Sequence, residues 1–307
     1  MRHPRSSRAS GGGFVKIDAS PAALHVRPRR AVPVFDLHSH STASDGVLSP
    51  PALVERAAAR GVDALALTDH DELRGLAEAQ ETARHAGIEL VPGTEISACF
   101  ERRTIHIVGL HIDPGAPALN DGLEWLRRER ADRALRIAAG LAEAGISGAL
   151  EGARAFVTNP DLVSRTHFAR CLVERGMAKD VNAVFRRYLT PGKPGYVPQT
   201  WASLSQAVDW IHAAGGIAVL AHPGRYGSSK AGLRRLLEAF TAARGDAIEV
   251  ISPSHTVAQI DDLIALARVF ELAASLGSDF HSPEESPWDL GQLSALPAGV
   301  RPAWSDW

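Results

Sequence analysis

The stretch FDLHSHSTASDG, residues 35–46, places two histidines one residue apart after a short apolar run, and an aspartate in the polar loop that follows. Side chains repeat every two residues along an extended strand, so His38 and His40 face the same side. Two imidazoles so placed can grip one divalent cation, and Asp45 can reach a neighbouring one. An isolated His-x-His is more often structural than ligating, so the rest of the chain decides its reading.

Working outward, short β-rich runs alternate with helix-like stretches. VPVFDL (32–37) reads as a buried strand. SPPALVERAAARG (49–61) reads as a helix with Ser49 as N-cap, prolines in the first turn and Gly61 as C-cap. VDALALTD (62–69) is a second strand, and LRGLAEAQETARHAG (73–87) a helix closed by Gly87. Further strands are expected over IELVPGTEIS (88–97), RTIHIVGLHI (103–112), GIAVLAH (216–222), AIEVIS (247–252) and ELAASLGSD (271–279), with helices near 203–214, 230–243 and 256–268. This alternation predicts an α/β fold with a mainly parallel sheet, closed or nearly closed into a barrel. Residues 115–200 break the rhythm. They are mostly helical, Arg-rich and end in the loop chemistry of LTPGKPGYVP (189–198), which reads as a helical insertion between barrel strands. No internal repeat is visible.

The chain has 307 residues, 45% hydrophobic and 22% charged, which suits one large domain or two small ones. A net charge of −2 argues against a partner such as long duplex DNA. The two cysteines, Cys99 and Cys171, form no CxxC pair, so neither a disulfide framework nor a thiolate zinc site is readable. That usage fits a reducing compartment, hence a cytoplasmic location. No apolar run approaches the roughly 18 residues of a membrane span, so no membrane partner is expected. Residues 1–30 are basic, poor in acids and broken by a Gly triplet; they read as a disordered extension or an over-called start, with a transit-type peptide as the alternative. Residues 31–307 read as one domain carrying the 115–200 insertion.

The histidines and acids recur where strands end: His38, His40 and Asp45, then Asp69 and His70, Glu95, His222, and finally Asp279 and His281, with His106 inside the fourth strand. In (β/α) barrels the C-terminal strand ends form one rim, where active sites are built. Crowded carboxylates repel and buried imidazoles need partners; divalent cations resolve both problems. This donor set suits Mn²⁺, Fe²⁺ or Zn²⁺.

These residues in this order resemble the PHP (polymerase and histidinol phosphatase) family. The matching stretches are DLHSHSTASDG, ALTDHD, PGTEIS, IHIVGL, AHP and GSDFH, within residues 33 to about 290. SRTHFAR (164–170) and YLTPGKPGYVP (188–198) resemble members that act on nucleoside 3′,5′-bisphosphates and on short RNA 5′ ends. The resemblance implies a distorted (β/α)₇ barrel with three divalent metal ions, Mn²⁺ foremost. Carried across position by position, His38, His40, Glu95 and Asp279 would hold one ion. Glu95, His106 and His222 would hold the second, and Asp45, His70 and His281 the third. The implied chemistry is phosphate ester hydrolysis by a water bridging two ions beside Glu95, with no serine or cysteine nucleophile. Asp69 is a candidate for orienting His70 from behind, although a strand-end residue capping the next turn reads as well.

A nucleoside bisphosphate, or short RNA, also needs a site for the phosphate that is not cleaved. Arginine suits it. The candidates are Arg130 on the long helix, Arg165 and His167 in SRTHF, Lys193 and Tyr196 in the Gly/Pro loop, and Arg225 after AHPG. On the long helix, RRERADRALR also reads as a solvated face with i,i+4 pairs, which weighs against Arg133 especially. Histidinol-phosphate phosphatase or another small phosphomonoesterase is the alternative activity; a small cationic substrate calls for an acidic pocket, against the Arg-rich insertion. A structural metal-binding PHP module is the non-enzymatic reading. An amide hydrolase is a third, for which no suitable strand-end lysine is present.

Overall fold

The computed structural model describes residues 32–307 except 102, 160, 199 and 306; the reading of residues 1–30 lies outside the described residues. Among the described residues the strands are β1 (Phe35–Asp36), β2 (Ala64–Leu67), β3 (Glu89–Phe100), β4 (Arg103–Leu110), β5 (Ala202–Ser203), β6 (Ile217–Leu220), β7 (Ala247–Ile251) and β8 (Ala273–Leu276). The helices are α1 (Pro50–Arg60), α2 (Leu76–Ala86), α3 (Pro117–Glu143), α4 (Ala149–Arg154), α5 (Arg165–Glu174), α6 (Val181–Val184), α7 (Leu204–Ala213), α8 (Lys230–Ala242) and α9 (Val257–Val269).

The sheet runs β1-β2-β3-β4-β6-β7-β8, with β5 attached to β3 off this path. The chain after β8 closes the ring onto the chain after β1. Leu37 N–H donates to the Leu276 carbonyl (3.2 Å), Asp279 N–H to His38 (2.9 Å) and His40 N–H to Phe280 (2.9 Å). The result is the distorted (β/α)₇ barrel, with β2, β7 and β8 buried along their whole length, as strands between a core and covering helices must be.

The sheet is less parallel than the alternation suggests. β4 runs antiparallel to both β3 and β6. Only two residues separate β3 from β4, too few for the crossover that a parallel pair requires. Strand lengths differ as well. The first ladder covers Phe35–Asp36 only, and the chain continues extended to Ser39, which bridges Phe280.

Helix ends follow local chemistry. Ser49 Oγ accepts from Ala52 N–H (3.3 Å), Pro50 opens α1, and Gly61 closes it at φ +82°. Between β4 and β5, α3 to α6 build their own small core around Leu141, Phe168, Leu172 and Leu189, distinct from the main core. No described helix is long and apolar enough to cross a membrane.

The C-terminal segment seals the end of the barrel away from the histidines. Pro302 bridges Ala274, and the Trp304 ring stacks on Phe35 at 4.3 Å. Trp304 is half-buried. Trp304→Ala should therefore cost about 2 kcal/mol, below the usual loss for a fully buried tryptophan. Chemical denaturation reads this loss, and activity of the folded protein at 25 °C should stay within about twofold, since the stack is remote from the rim.

Candidate metal centre

His38 and His40 point into the barrel mouth with ring centroids 5.1 Å apart. Ser39 between them points the other way, its hydroxyl donating to the Ala66 carbonyl (2.6 Å). The loop that follows turns back tightly. A Cβ on Gly46 would meet the His40 carbonyl oxygen at 2.3 Å, so only glycine lets the chain return here. Asp69 pegs this loop from β2: its carboxylate accepts from Ser41 N–H (2.8 Å), Ser41 Oγ (2.6 Å) and Ser44 Oγ (2.5 Å). These bonds, rather than a bond to His70, occupy Asp69. It shapes the loop that carries Asp45.

Glu95 stands at the centre, fully buried. Its Oε2 lies 2.9 Å from His70 Nδ1 and 3.3 Å from both His38 Nε2 and His40 Nε2. Its Oε1 lies 2.7 Å from His106 Nδ1 and 2.9 Å from His222 Nε2. His106 sits in the first half of β4 rather than at its end. Because β4 is antiparallel, that half faces the rim where the parallel strands finish. Asp279 Oδ1 lies 3.3 Å from His40 Nε2, and Asp45 Oδ1 lies 3.4 Å from His281 Nε2. His281 Nδ1 is 2.9 Å from the Asp279 carbonyl, which aims its Nε2 at Asp45.

All nine side chains with ligand chemistry thus meet at one mouth. Among the described residues, eight of them group as His38–His40–Glu95–Asp279, His40–Asp45–His70–His281 and His70–Glu95–His106, while the ninth, His222, stands beside Glu95 outside these groups. The first is the set expected for one ion. The second adds His40 to the expected Asp45, His70 and His281, and the third holds His70 where His222 was expected; His70 presents Nδ1 to Glu95 and Nε2 toward Asp45 (3.8 Å), so it faces both neighbours. Among the described residues, eight buried side-chain atoms have no hydrogen-bond partner: His38 Nε2, both ring nitrogens of His40, Asp45 Oδ1, His70 Nδ1, Glu95 Oε2, His106 Nδ1 and His222 Nδ1. Burying such groups unsatisfied costs several kcal/mol in sum. Their donor chemistry, imidazole nitrogen and carboxylate oxygen, fits divalent cations.

The electrostatics agree. Burial raises the Glu95 carboxyl, but His106, His70 and His38 outweigh it and hold the group well below its ordinary value. Burial likewise opposes the charge on His40, yet Asp279 and Glu95 push it up to about 9. At His70 burial wins over Glu95 and Asp45 and brings the ring down to about 4.

Above this floor opens a cavity of about 250 Å³ whose walls include Arg130, Arg133, Arg165 and Arg225. Arg165 has no hydrogen bond or ion pair among the described residues; it lies over the Phe185 ring at 5.5 Å. Arg133 donates to the Val197 carbonyl (3.2 Å), and burial with the charges of Arg165 and Arg130 brings it down to about 9. Arg225 donates to Asp279 Oδ2 (2.7 Å). His167, Lys193 and Tyr196 do not line the cavity. His167 Nδ1 accepts from Ser164 N–H (3.0 Å), completing a capping box that starts α5. The Gly/Pro loop folds back on the insertion, with Gly195 N–H donating to Tyr188 (2.8 Å), leaving Lys193 exposed and Tyr196 half-buried.

Several contributors escape sequence reading. Ser164 Oγ donates to Asp45 Oδ2 (3.2 Å), and Arg170 Nη1 to the Asp45 carbonyl (2.8 Å), so the insertion holds Asp45 by both its carboxylate and its backbone. Asp71 accepts from Arg130 Nε (2.6 Å) and Ser97 N–H (2.7 Å), which clamps α3 to the barrel. Glu249 contacts His38 (3.2 Å). Its one visible signal is an acid inside the apolar run AIEVIS.

Barrel topology and site together define a metal-dependent phosphoester hydrolase, and the comparisons agree. The chain belongs to the PHP domain family, whose signature matches residues 36–154. It is 50% identical over 272 residues to a 3′,5′-nucleoside bisphosphate phosphatase from Chromobacterium violaceum, covering 89% of this chain and 95% of that protein. It is 48% identical over 277 residues to the 5′-3′ exoribonuclease Rnm of Escherichia coli, covering 89% and 94%. A solved structure described as an amidohydrolase from Chromobacterium violaceum, with bound sulfate and no metal, superposes with a TM-score of 0.85 at 50% identity, covering 88% of this chain and 94% of that one.

The Asp71–Arg130 pair is buried on both sides. Arg130→Ala strands the Asp71 charge and should cost about 3–5 kcal/mol. The double variant Asp71→Asn with Arg130→Met should recover part of that loss in urea denaturation.

Proposed function

We propose that this hydrolase removes the 3′-phosphate from nucleoside 3′,5′-bisphosphates and also degrades short RNA from its 5′ end. The observation that carries the reading is the set of eight unpartnered polar atoms at the floor of an arginine-walled cavity. The names of the phosphatase and exoribonuclease relatives support the same substrate class.

His38, His40, Glu95 and Asp279 would hold one divalent ion. Glu95, His106 and His222 would hold a second, and Asp45, His70 and His281 a third, with His40 and His70 close enough to be shared. Mn²⁺ is the ion we favour, with Fe²⁺ or Zn²⁺ as alternatives. Such ions supply an activated water and neutralise charge on the phosphate. The chain's own part is to fix that geometry and bind the rest of the substrate. Asp69 holds the loop that carries Asp45, while Ser164 and Arg170 secure Asp45 from the insertion. Arg165, with no acid partner among the described residues, is the group placed to take the phosphate that is not cleaved. Arg130 and Arg225 are tied to Asp71 and Asp279 and set the positive wall around it.

Histidinol phosphate fits less well, because a small cation would face these guanidinium groups. A location in the cytoplasm accords with this substrate class and with the cysteine usage.

Phosphate release from adenosine 3′,5′-bisphosphate by Mn²⁺-loaded protein, with histidinol phosphate alongside, tests the reading. Arg165→Ala should raise KM for the bisphosphate about tenfold or more, the loss of one charge-assisted hydrogen bond. Turnover of p-nitrophenyl phosphate, which has no second phosphate, should stay within about twofold. Equal loss on both substrates would remove Arg165 from second-phosphate binding. No release from the bisphosphate by metal-loaded protein would remove the substrate assignment.

A further inference from the structure

Glu249, on β7, is 2% exposed and belongs to none of the ligand groups above. Its two oxygens face two different histidines. Oε1 lies 3.2 Å from His38 Nδ1, and Oε2 accepts from the backbone N–H of His222 at 2.6 Å. The first contact bears on which nitrogen of His38 carries a proton. A carboxylate only accepts, so Nδ1 is the donor, and in the neutral ring that a metal requires the lone pair is left on Nε2. That Nε2 is one of the unpartnered atoms, 3.3 Å from Glu95 and 3.6 Å from Asp279. The second contact bears on backbone strain. His222 has φ +27° and ψ +55°, a conformation a non-glycine residue rarely adopts. In it, His222 Nε2 reaches Glu95 Oε1 at 2.9 Å. The neighbouring strand makes room for the pair: a Cβ on Gly277 would come within 2.1 Å of His38 Cβ and 2.6 Å of Glu249 Oε1.

We propose that Glu249 is the positioning residue of the centre, fixing the His38 tautomer so that its Nε2 presents a lone pair beside Glu95, and fixing the His222 backbone so that its ring reaches Glu95. The inference rests on the metal reading given above. A glutamine in its place would offer one acceptor where two are needed. Its amide N–H₂ would either oppose the His222 N–H or force the wrong tautomer on His38.

Full-length Glu249→Gln and Glu249→Asp proteins, checked for fold by circular dichroism, should be titrated with Mn²⁺ by calorimetry. Glu249→Gln should bind at least one ion about 10–100-fold more weakly than wild type, and Glu249→Asp, which keeps both acceptors, should recover part of the loss. A readout independent of any variant is the pair of His38 ring ¹⁵N shifts in zinc-loaded wild type, assigned by difference against His38→Asn. The proposal requires a protonated Nδ1 and an unprotonated Nε2. Folded Glu249→Gln with affinities within twofold of wild type would overturn the proposal, and so would a wild-type His38 protonated on Nε2, whichever way the variants fold. Wild-type protein that binds no divalent ion would overturn the metal reading itself.

Discussion

A buried carboxylate with five imidazoles within 3.3 Å of its oxygens is the constraint from which the rest of the molecule follows. Glu95 comes from β3, and its neighbours come from the chain ends of β1, β2 and β6 and from the middle of β4. Only a closed barrel brings those segments to one point. Within that point charge cannot be left to solvent, because Glu95 and His40 are fully buried. Uncompensated, such a cluster would oppose folding. Positive charge from bound divalent ions would turn the same cluster into a stabilising centre.

The insertion is part of this centre rather than a cover laid over it. Ser164 and Arg170 reach Asp45, while Arg130 grips Asp71, one residue from His70. The capping box at the start of α5 places Ser164 against the Asp45 carboxylate and Arg165 at the cavity wall in consecutive positions. One helix start therefore carries both the arginine proposed for substrate binding and the hydroxyl that holds the Asp45 carboxylate. Arginine in this wall has a physical rationale beyond net charge. With burial and like-charged neighbours pushing Arg133 and Arg165 downward, the wall favours an anion strongly.

Much of this was legible in the chain itself. His-x-His after an apolar run gives two rings on one side, and TDH, AHP and GSDFH each follow a strand end at the same rim, whereas PGTEIS lies inside the longer β3, with Glu95 beyond the part paired to β2. The alternating pattern also yielded the barrel and the helix caps at Ser49 and Gly61. What was not legible depends on contacts between distant segments. The direction of β4 follows from the two-residue link after Phe100, a spacing argument that the strand pattern masked. Asp69 looks like a partner for His70 by adjacency, yet its oxygens are taken by Ser41 and Ser44 across the rim. His167 and Lys193 have the chemistry of phosphate binders, but one caps its own helix and the other sits in a loop folded away from the cavity. Glu249 carried only the weak signal of an acid in an apolar strand.

The central claim is that the histidine and carboxylate cluster at the barrel mouth is a divalent metal centre. Anomalous X-ray diffraction from crystals grown with Mn²⁺, recorded on either side of the manganese absorption edge, tests it most directly. Edge-dependent density is expected inside the cluster, between Glu95, Asp279 and Asp45 and the imidazoles around them. Crystals of the folded protein with no such density there, or with manganese bound only elsewhere on the surface, would contradict it.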